Sequence, residues 1–203
     1  MNYKILASSS AGNASVIYNE FETIGIDFGI SFKKYRELLG AIPFPSDIFI
    51  THEHGDHFNT SGVRAMLKKE TPTMHNNGNV VETNEFIVQA FRVPHDVITY
   101  GFKITEKRTN ETLVFITDDT DEVSTATRYK ALLSNANYYL LEGNFDEWYL
   151  INTDVAETYG YNVASGFYRH SSKQEALKAY AMLRGDKTKK LEFLHKSGRF
   201  FDK

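Results

Sequence analysis

The sequence predicts a mixed α/β fold in which two stacked β-sheets carry helices on their outer faces. Strand-like apolar runs arrive in pairs and triples, interrupted by single helical segments rather than alternating with them one for one. Apolar strand faces and helix stripes must be buried against another layer, and two stacked sheets with helices outside accomplish this. The 203 residues suffice for one packed domain, 1–203, and are too few to expect two.

Residues 3–7 and 14–18 read as short strands around the small polar turn Ser8-Ser9-Ser10-Ala11-Gly12-Asn13. By itself the turn is a hairpin. Its functional reading is a loop whose hydroxyls and backbone N–H groups face a phosphate. A strand at 23–27 ends in Asp27-Phe28-Gly29, a helix covers 31–39, and a strand covers 47–51. A second helix over 61–69 places Val63, Met66 and Leu67 at helical spacing. Strands follow at 86–93, 98–105 and 111–117, then a helix at 124–134 and a strand at 138–142. The pattern weakens over 145–168, where Trp148, Tyr149, Tyr159, Tyr161, Phe167 and Tyr168 crowd together as core or as a base-stacking surface. An amphipathic helix over 172–184 opens on Ser172 and Glu175, spaced as a capping box. The strand 190–194 closes the pattern and delivers His195.

Bulk properties narrow the classes. The chain is 41% hydrophobic and 24% charged, as in an ordinary globular protein, with 12 Tyr and 15 Phe. A net charge of -3 argues against a protein that tracks long nucleic acid, which shows a basic footprint. The absence of cysteine excludes disulfides, thiolate ligands and a cysteine nucleophile, and is compatible with a reducing cytoplasm. No apolar run approaches the about 18 residues of a membrane span, and Met1-Asn2-Tyr3-Lys4-Ile5-Leu6 lacks the apolar core of a signal peptide. A soluble cytoplasmic protein without membrane contact is expected.

The chemistry concentrates in Ile48-Phe49-Ile50-Thr51-His52-Glu53-His54-Gly55-Asp56-His57, a short apolar strand that ends in three histidines and an aspartate within six residues. Imidazole and carboxylate are ligands of borderline divalent metals such as zinc. Six of the seven histidines, His52, His54, His57, His95, His170 and His195, fall at strand ends or helix starts, while His75 reads as ordinary surface. A residue just past a strand end sits on a rigid support, as a metal site requires.

The H-x-H-x-D-H run at His52, His54, Asp56 and His57, with Asp27, His95 and Asp118 in the accompanying positions, resembles the metallo-β-lactamase superfamily. The resemblance implies an αββα sandwich with a two-metal site at one edge. One metal would be held by His52, His54 and His95, the other by Asp56, His57 and His195, with Asp118 bridging. Asp27 would brace the metal loop by hydrogen bonds. Such an ion pair clamps phosphate oxygens and lowers the pKa of water toward about 7. Zinc suits these ligands, and manganese tolerates them.

Within the superfamily the chain resembles the phosphodiesterase branch. His170-Ser171-Ser172 with Glu175-Ala176, and Leu194-His195 with Ser197 and Arg199-Phe200, look like RNase Z. Ser10-Ala11-Gly12-Asn13 and Leu141-Glu142-Gly143-Asn144-Phe145-Asp146 look like the bacterial YycJ (WalJ) nucleases, and also like the small anti-Pycsar phosphodiesterases of phages. The resemblance makes Asp56, His170 and Glu142 the catalytic residues, with His170 at the scissile phosphate and Glu142 orienting it. Ser10, Asn13, Ser172, Ser197 and Arg199 would contact substrate. The YycJ pattern has a histidine where Phe145 stands, and no insertion has room for the tRNA-gripping arm of RNase Z. The expectation is therefore a two-metal phosphodiesterase acting on a small nucleotide, foremost cyclic CMP or UMP, then cyclic AMP or GMP, as a phage counter-defence enzyme in the host cytoplasm. A homodimer is implied with it. A YycJ-like 5'-3' exonuclease or small RNase, and a non-catalytic nucleotide-sequestering protein, are the alternatives.

Overall fold

A computed structural model describes residues 1–201. The chain clusters into two compact units, Met1–Ala90 with Thr105–Asn110, and Phe91–Ile104 with the chain from Glu111 onward.

In the first unit, β1 (Asn2–Ser9) and β2 (Gly12–Tyr18) form the expected hairpin, with a register shift between Ile5 and Ala7. Next come β3 (Thr23–Ile26), α1 (Phe32–Leu39), β4 (Asp47–Phe49), α2 (Thr60–Met66), β5 (Thr73–His75), β6 (Val80–Glu82) and the start of β7 (Phe86–Val93). The first sheet has the order β1-β2-β3-β4-β5. β3 pairs with β4, and β4 with β5, in parallel, so β3 and β4 end side by side. β3 is buried throughout, which is why Thr-Ile-Gly-Ile reads as apolar rather than alternating. Ser31 caps α1 by accepting from the Lys34 N–H, and Asn59 caps α2 by accepting from the Gly62 N–H. The core joins Val16, Phe28, Tyr35, Ile48, Ile50 and Met66, with Phe28 stacked on Tyr35 at 4.5 Å between centroids. Each such side chain contributes about 1.5–3 kcal/mol on burial.

In the second unit, β8 (Thr99–Glu106, its last two residues belonging to the first unit) is followed by β9 (Thr112–Phe115), α3 (Glu122–Arg128), α4 (Lys130–Leu133) and β10 (Tyr138–Glu142). Then come α5 (Trp148–Asn152), α6 (Val155–Tyr159), α7 (Tyr161–Phe167), α8 (Lys173–Leu183) and β11 (Lys190–Leu194). The second sheet has the order β11-β10-β9-β8-β7-β6, and β10 is parallel to both β9 and β11. Val114, Ile116, Tyr139 and Leu141 pack against Ala176, Ala179 and Leu183 of α8. The Ser172–Glu175 capping box forms as the spacing predicts.

The differences from expectation are local. β5 and β6 are three-residue strands, too short and polar to show a period. The helix expected over 124–134 starts at Glu122 and is broken at Tyr129, whose N–H bonds both Thr125 and Thr127 carbonyls. The weak segment 145–168 forms three short helices, divided where Asp154 caps α6 and where Gly160 turns at φ 90°. His75, expected at the surface, is half-buried on β5, 2.8 Å from Asp47 and stacked on Phe49 at 4.6 Å. No helix among the described residues is long and apolar enough to cross a membrane.

Three segments of the first unit interlock by backbone bonds. Asn13 N–H donates to Asp56 O at 2.7 Å, Phe28 N–H to His57 O at 2.8 Å and Gly29 N–H to Asn13 O at 2.8 Å. A Cβ at Gly29 would sit 1.6 Å from Asp56 O, whereas one at Gly55 would meet nothing within 4 Å. Gly29→Ala should therefore cost about 3 kcal/mol or more in urea unfolding, and Gly55→Ala less than about 1 kcal/mol.

Candidate active site

Both units place their chemistry at the carboxyl ends of parallel strands, where α/β sheets commonly bind ligands. Asp27 follows β3, and Thr51 to His57 follow β4. Asp118 follows β9, Glu142 ends β10 and His195 follows β11. Asp27, Asp118 and His195 adopt positive φ, at 60°, 53° and 51°. This is a left-handed bend at the strand end that Asp and His tolerate better than branched residues do.

In the first unit, the buried Asp27 carboxylate organises the loop. Its Oδ1 accepts from the Thr51 N–H at 2.8 Å and the Thr51 hydroxyl at 2.9 Å, and its Oδ2 lies 2.7 Å from His57 Nδ1. The Thr51 hydroxyl is also 3.0 Å from His52 Nδ1. With both Nδ1 atoms engaged, the coordinating lone pair of His52 and of His57 lies on Nε2. His52 Nε2 is 3.1 Å from His54 Nδ1. Two nitrogens on a tetrahedral zinc at about 2.0–2.1 Å each would lie about 3.3 Å apart, so this pair fits a shared ion. Asp56 Oδ2 is 3.6 Å from His57 Nε2. The donor set suits zinc or manganese.

In the second unit, Asp118, Glu142, His170 and His195 offer ligand atoms all within 4.8 Å of one another. Glu142 Oε1 lies 2.8 Å from His170 Nδ1 and 3.1 Å from His195 Nδ1, and its Oε2 accepts from the Asp119 N–H at 2.9 Å. Burial alone would raise the Glu142 carboxyl. The His170 charge and the hydrogen bonds from His170 and His195 outweigh burial and hold the group below the usual glutamate value. His195 is steadied by Asn144, whose amide donates to its carbonyl at 2.7 Å. Burial lowers the His95 pKa against the opposing pull of Asp118 and Asp96, which favours the neutral imidazole that metals bind.

The expected substrate contacts are placed differently from one another. Ser10 is exposed on the turn. Asn13 is buried, with its amide nitrogen 2.8 Å from His57 Nε2, inside the metal loop. Ser172 is buried as the α8 cap, and its hydroxyl donates to Glu147 at 2.7 Å. Ser197 Oγ accepts from the Phe200 N–H at 3.2 Å, and Arg199 is exposed with its guanidinium 5.7 Å from the Tyr159 ring centroid. Phe145 packs on Phe167 at 4.5 Å in a small core with Tyr149, Val155 and Phe200. Trp148, Tyr159, Tyr161 and Tyr168 of the same segment are exposed. Sequence reasoning missed Thr51, Asn144, Asp119, Glu122 and Ser171. Thr51 was signalled by its place between strand and first histidine, Asn144 and Ser171 by their places in quoted motifs, and Asp119 and Glu122 carried no local signal of a role.

No family model matches the chain. It is 30% identical to exodeoxyribonuclease WalJ of Streptococcus pneumoniae over 223 aligned positions, spanning 96% of this chain and 81% of that protein. Among solved structures it resembles the short form of human tRNase Z, with a TM-score of 0.68, 18% identity, and coverage of 98% of this chain and 94% of that one. It also resembles the metallo-β-lactamase fold protein YhfI of Bacillus subtilis, with a TM-score of 0.67, 14% identity, and coverage of 96% and 85%. The fold and site define a metallo-β-lactamase-fold hydrolase of the phosphodiesterase and nuclease type. More narrowly, the chain belongs to the family of exodeoxyribonuclease WalJ.

Because Asp27 holds the His57 tautomer, Asp27→Ala should weaken divalent-metal affinity about 10–100-fold. Titration calorimetry of the metal-free protein with zinc measures it.

Proposed function

We propose that this protein is a two-metal phosphodiesterase that removes nucleotides from DNA ends. The observation that carries the phosphodiesterase chemistry is the Glu142–His170 pair, 2.8 Å apart beside Asp118 and His195. The 30% identity to an exodeoxyribonuclease over 96% of the chain supports DNA as substrate.

In this reading His52, His54 and His95 would hold one divalent ion and Asp56, His57 and His195 the other, with Asp118 available to both. Two zinc or manganese ions supply Lewis-acid polarisation and charge neutralisation at the phosphoryl oxygens. The rest falls to the chain. Asp27 and Thr51 keep His57 and His52 in the ligating tautomer. Glu142 accepts from His170 Nδ1, so Nε2 faces the substrate. From there a proton would pass to the oxygen of the departing nucleotide as the P–O bond breaks, while water adds its hydroxyl to phosphorus and its other proton returns to solvent to recharge His170. A cytoplasmic homodimer belongs to the same reading by family resemblance.

One observation favours a second substrate. Where the YycJ pattern has a histidine, the buried Phe145 closes an aromatic core, and the net charge is -3. A cyclic mononucleotide needs neither a basic track nor that histidine, and its cleavage by a phage-encoded copy would be counter-defence.

The deciding experiment incubates the protein and Zn²⁺ or Mn²⁺ with end-labelled single- and double-stranded DNA, RNA, and cyclic CMP, UMP, AMP and GMP. Stepwise release of nucleotides from DNA is expected. Hydrolysis of a cyclic nucleotide with DNA left intact would replace the first reading by the second. His170→Ala should lower kcat about 10²–10⁴-fold and retain both ions by elemental analysis. Loss of an ion would instead make His170 a ligand.

A further inference from the structure

Behind the Glu142–His170 pair, four residues of the second unit close a ring of hydrogen bonds. The Asp119 N–H donates to Glu142 Oε2 at 2.9 Å. The Asp119 carbonyl accepts from the Ser171 hydroxyl at 2.7 Å. That hydroxyl accepts from the Glu122 N–H at 3.2 Å. Glu122 Oε1 accepts from the Glu142 N–H at 2.7 Å and closes the ring. All four residues are 0% exposed.

We propose that Glu122 is a positioning residue for phosphodiester cleavage, holding the Glu142 backbone, and through Ser171 the chain at His170, in the geometry of the proton-donating pair. The inference rests on the phosphodiesterase reading of that pair. Pairing of β10 with β9 runs from Tyr138 to Leu140, so the Glu142 N–H lies beyond the ladder on that side. Glu122 supplies its acceptor. Ser171 follows His170 directly, so fixing its hydroxyl fixes the backbone that carries the imidazole. The ring therefore grips both members of the pair from behind, one through Glu142 and the other through Ser171.

Stability alone gives no reason for an acid here. Glu122 lies at the start of α3, whose Ala126 is in the apolar core with Leu141 and Ala176. Burial, with the Asp119 and Glu142 carboxyls nearby, raises the Glu122 pKa well above its ordinary value, which favours its neutral form. A polar group in such a place is costly unless its hydrogen bonds matter. The bond it makes is to the backbone of the residue that orients His170.

The test uses the metal-loaded full chain, with bis(p-nitrophenyl) phosphate as a generic phosphodiester. Glu122→Gln keeps a neutral acceptor and should retain kcat within about threefold. Glu122→Met removes the acceptor at similar volume and should lower kcat at least tenfold, with KM and metal content unchanged. On a His170→Ala background, Glu122→Met should cost nothing further. An equal loss on both backgrounds would overturn the proposal, because a purely structural acid acts whether or not His170 is present. Ser171→Ala opens the ring at another link and should reproduce the loss, so the idea stays testable should Glu122→Met fold poorly. Proton NMR supplies a readout without turnover. The downfield His170 Nδ1–H resonance should persist in Glu122→Gln and vanish or broaden in Glu122→Met and Ser171→Ala. An unchanged resonance in both disrupting variants also overturns the proposal. If the parent protein leaves the generic phosphodiester intact, the phosphodiesterase reading fails, and the resonance still decides the role of Glu122.

Discussion

A carboxylate taken out of water is costly unless its oxygens are met by donors, and one acid in each unit, Asp27 and Glu142, is met in this way. Asp27, 1% exposed, is met by the Thr51 N–H and hydroxyl and by His57. Glu142, 0% exposed, is met by the Asp119 N–H, His170 and His195. Parallel strands provide these donors because their carboxyl ends lie side by side, so a residue past one strand reaches the backbone past the next. The orientation of histidines that could hold a metal follows from this arrangement. An imidazole whose Nδ1 is tied to a buried carboxylate or hydroxyl has its lone pair on Nε2 in a fixed direction.

The same demand shapes the backbone. Asp27 and His195 bend into the left-handed region directly after their strands, and Asp118 does so three residues past the end of β9. Such a bend costs of order 1–3 kcal/mol for a residue with a Cβ, and each of these side chains returns hydrogen bonds that a glycine would not. At Gly29 the opposite holds, because the Asp56 carbonyl occupies the place of a Cβ. The H-x-H-x-D-H loop is thus positioned as much by a missing atom as by its ligands.

Function divides along the same line between the generic and the particular. The fold is common to a hydrolase class, while the segment from Phe145 to Phe167 helps build a small core of its own. Phe145, Tyr149, Val155, Phe167 and Phe200 pack as a satellite core, and Trp148, Tyr161 and Tyr168 remain at the surface.

The sequence by itself determined the mixed fold, the strand ends and the histidine-rich loop, because each was written in short-range pattern. The run from His52 to His57 packs its donors within one loop, and the Ser172–Glu175 cap spans one helical turn. What only the tertiary structure decided was which acids are buried. The sequence marked Asp118 as a site residue past a strand end, but nothing in its local pattern showed that Asp119 and Glu122 beside it are buried, each 0% exposed. Their partners, Glu142 and Ser171, lie 20 to 52 residues away along the chain. Burial and pairing at that distance depend on β9, β10 and the start of α8 meeting in space, and no local spacing encodes that meeting.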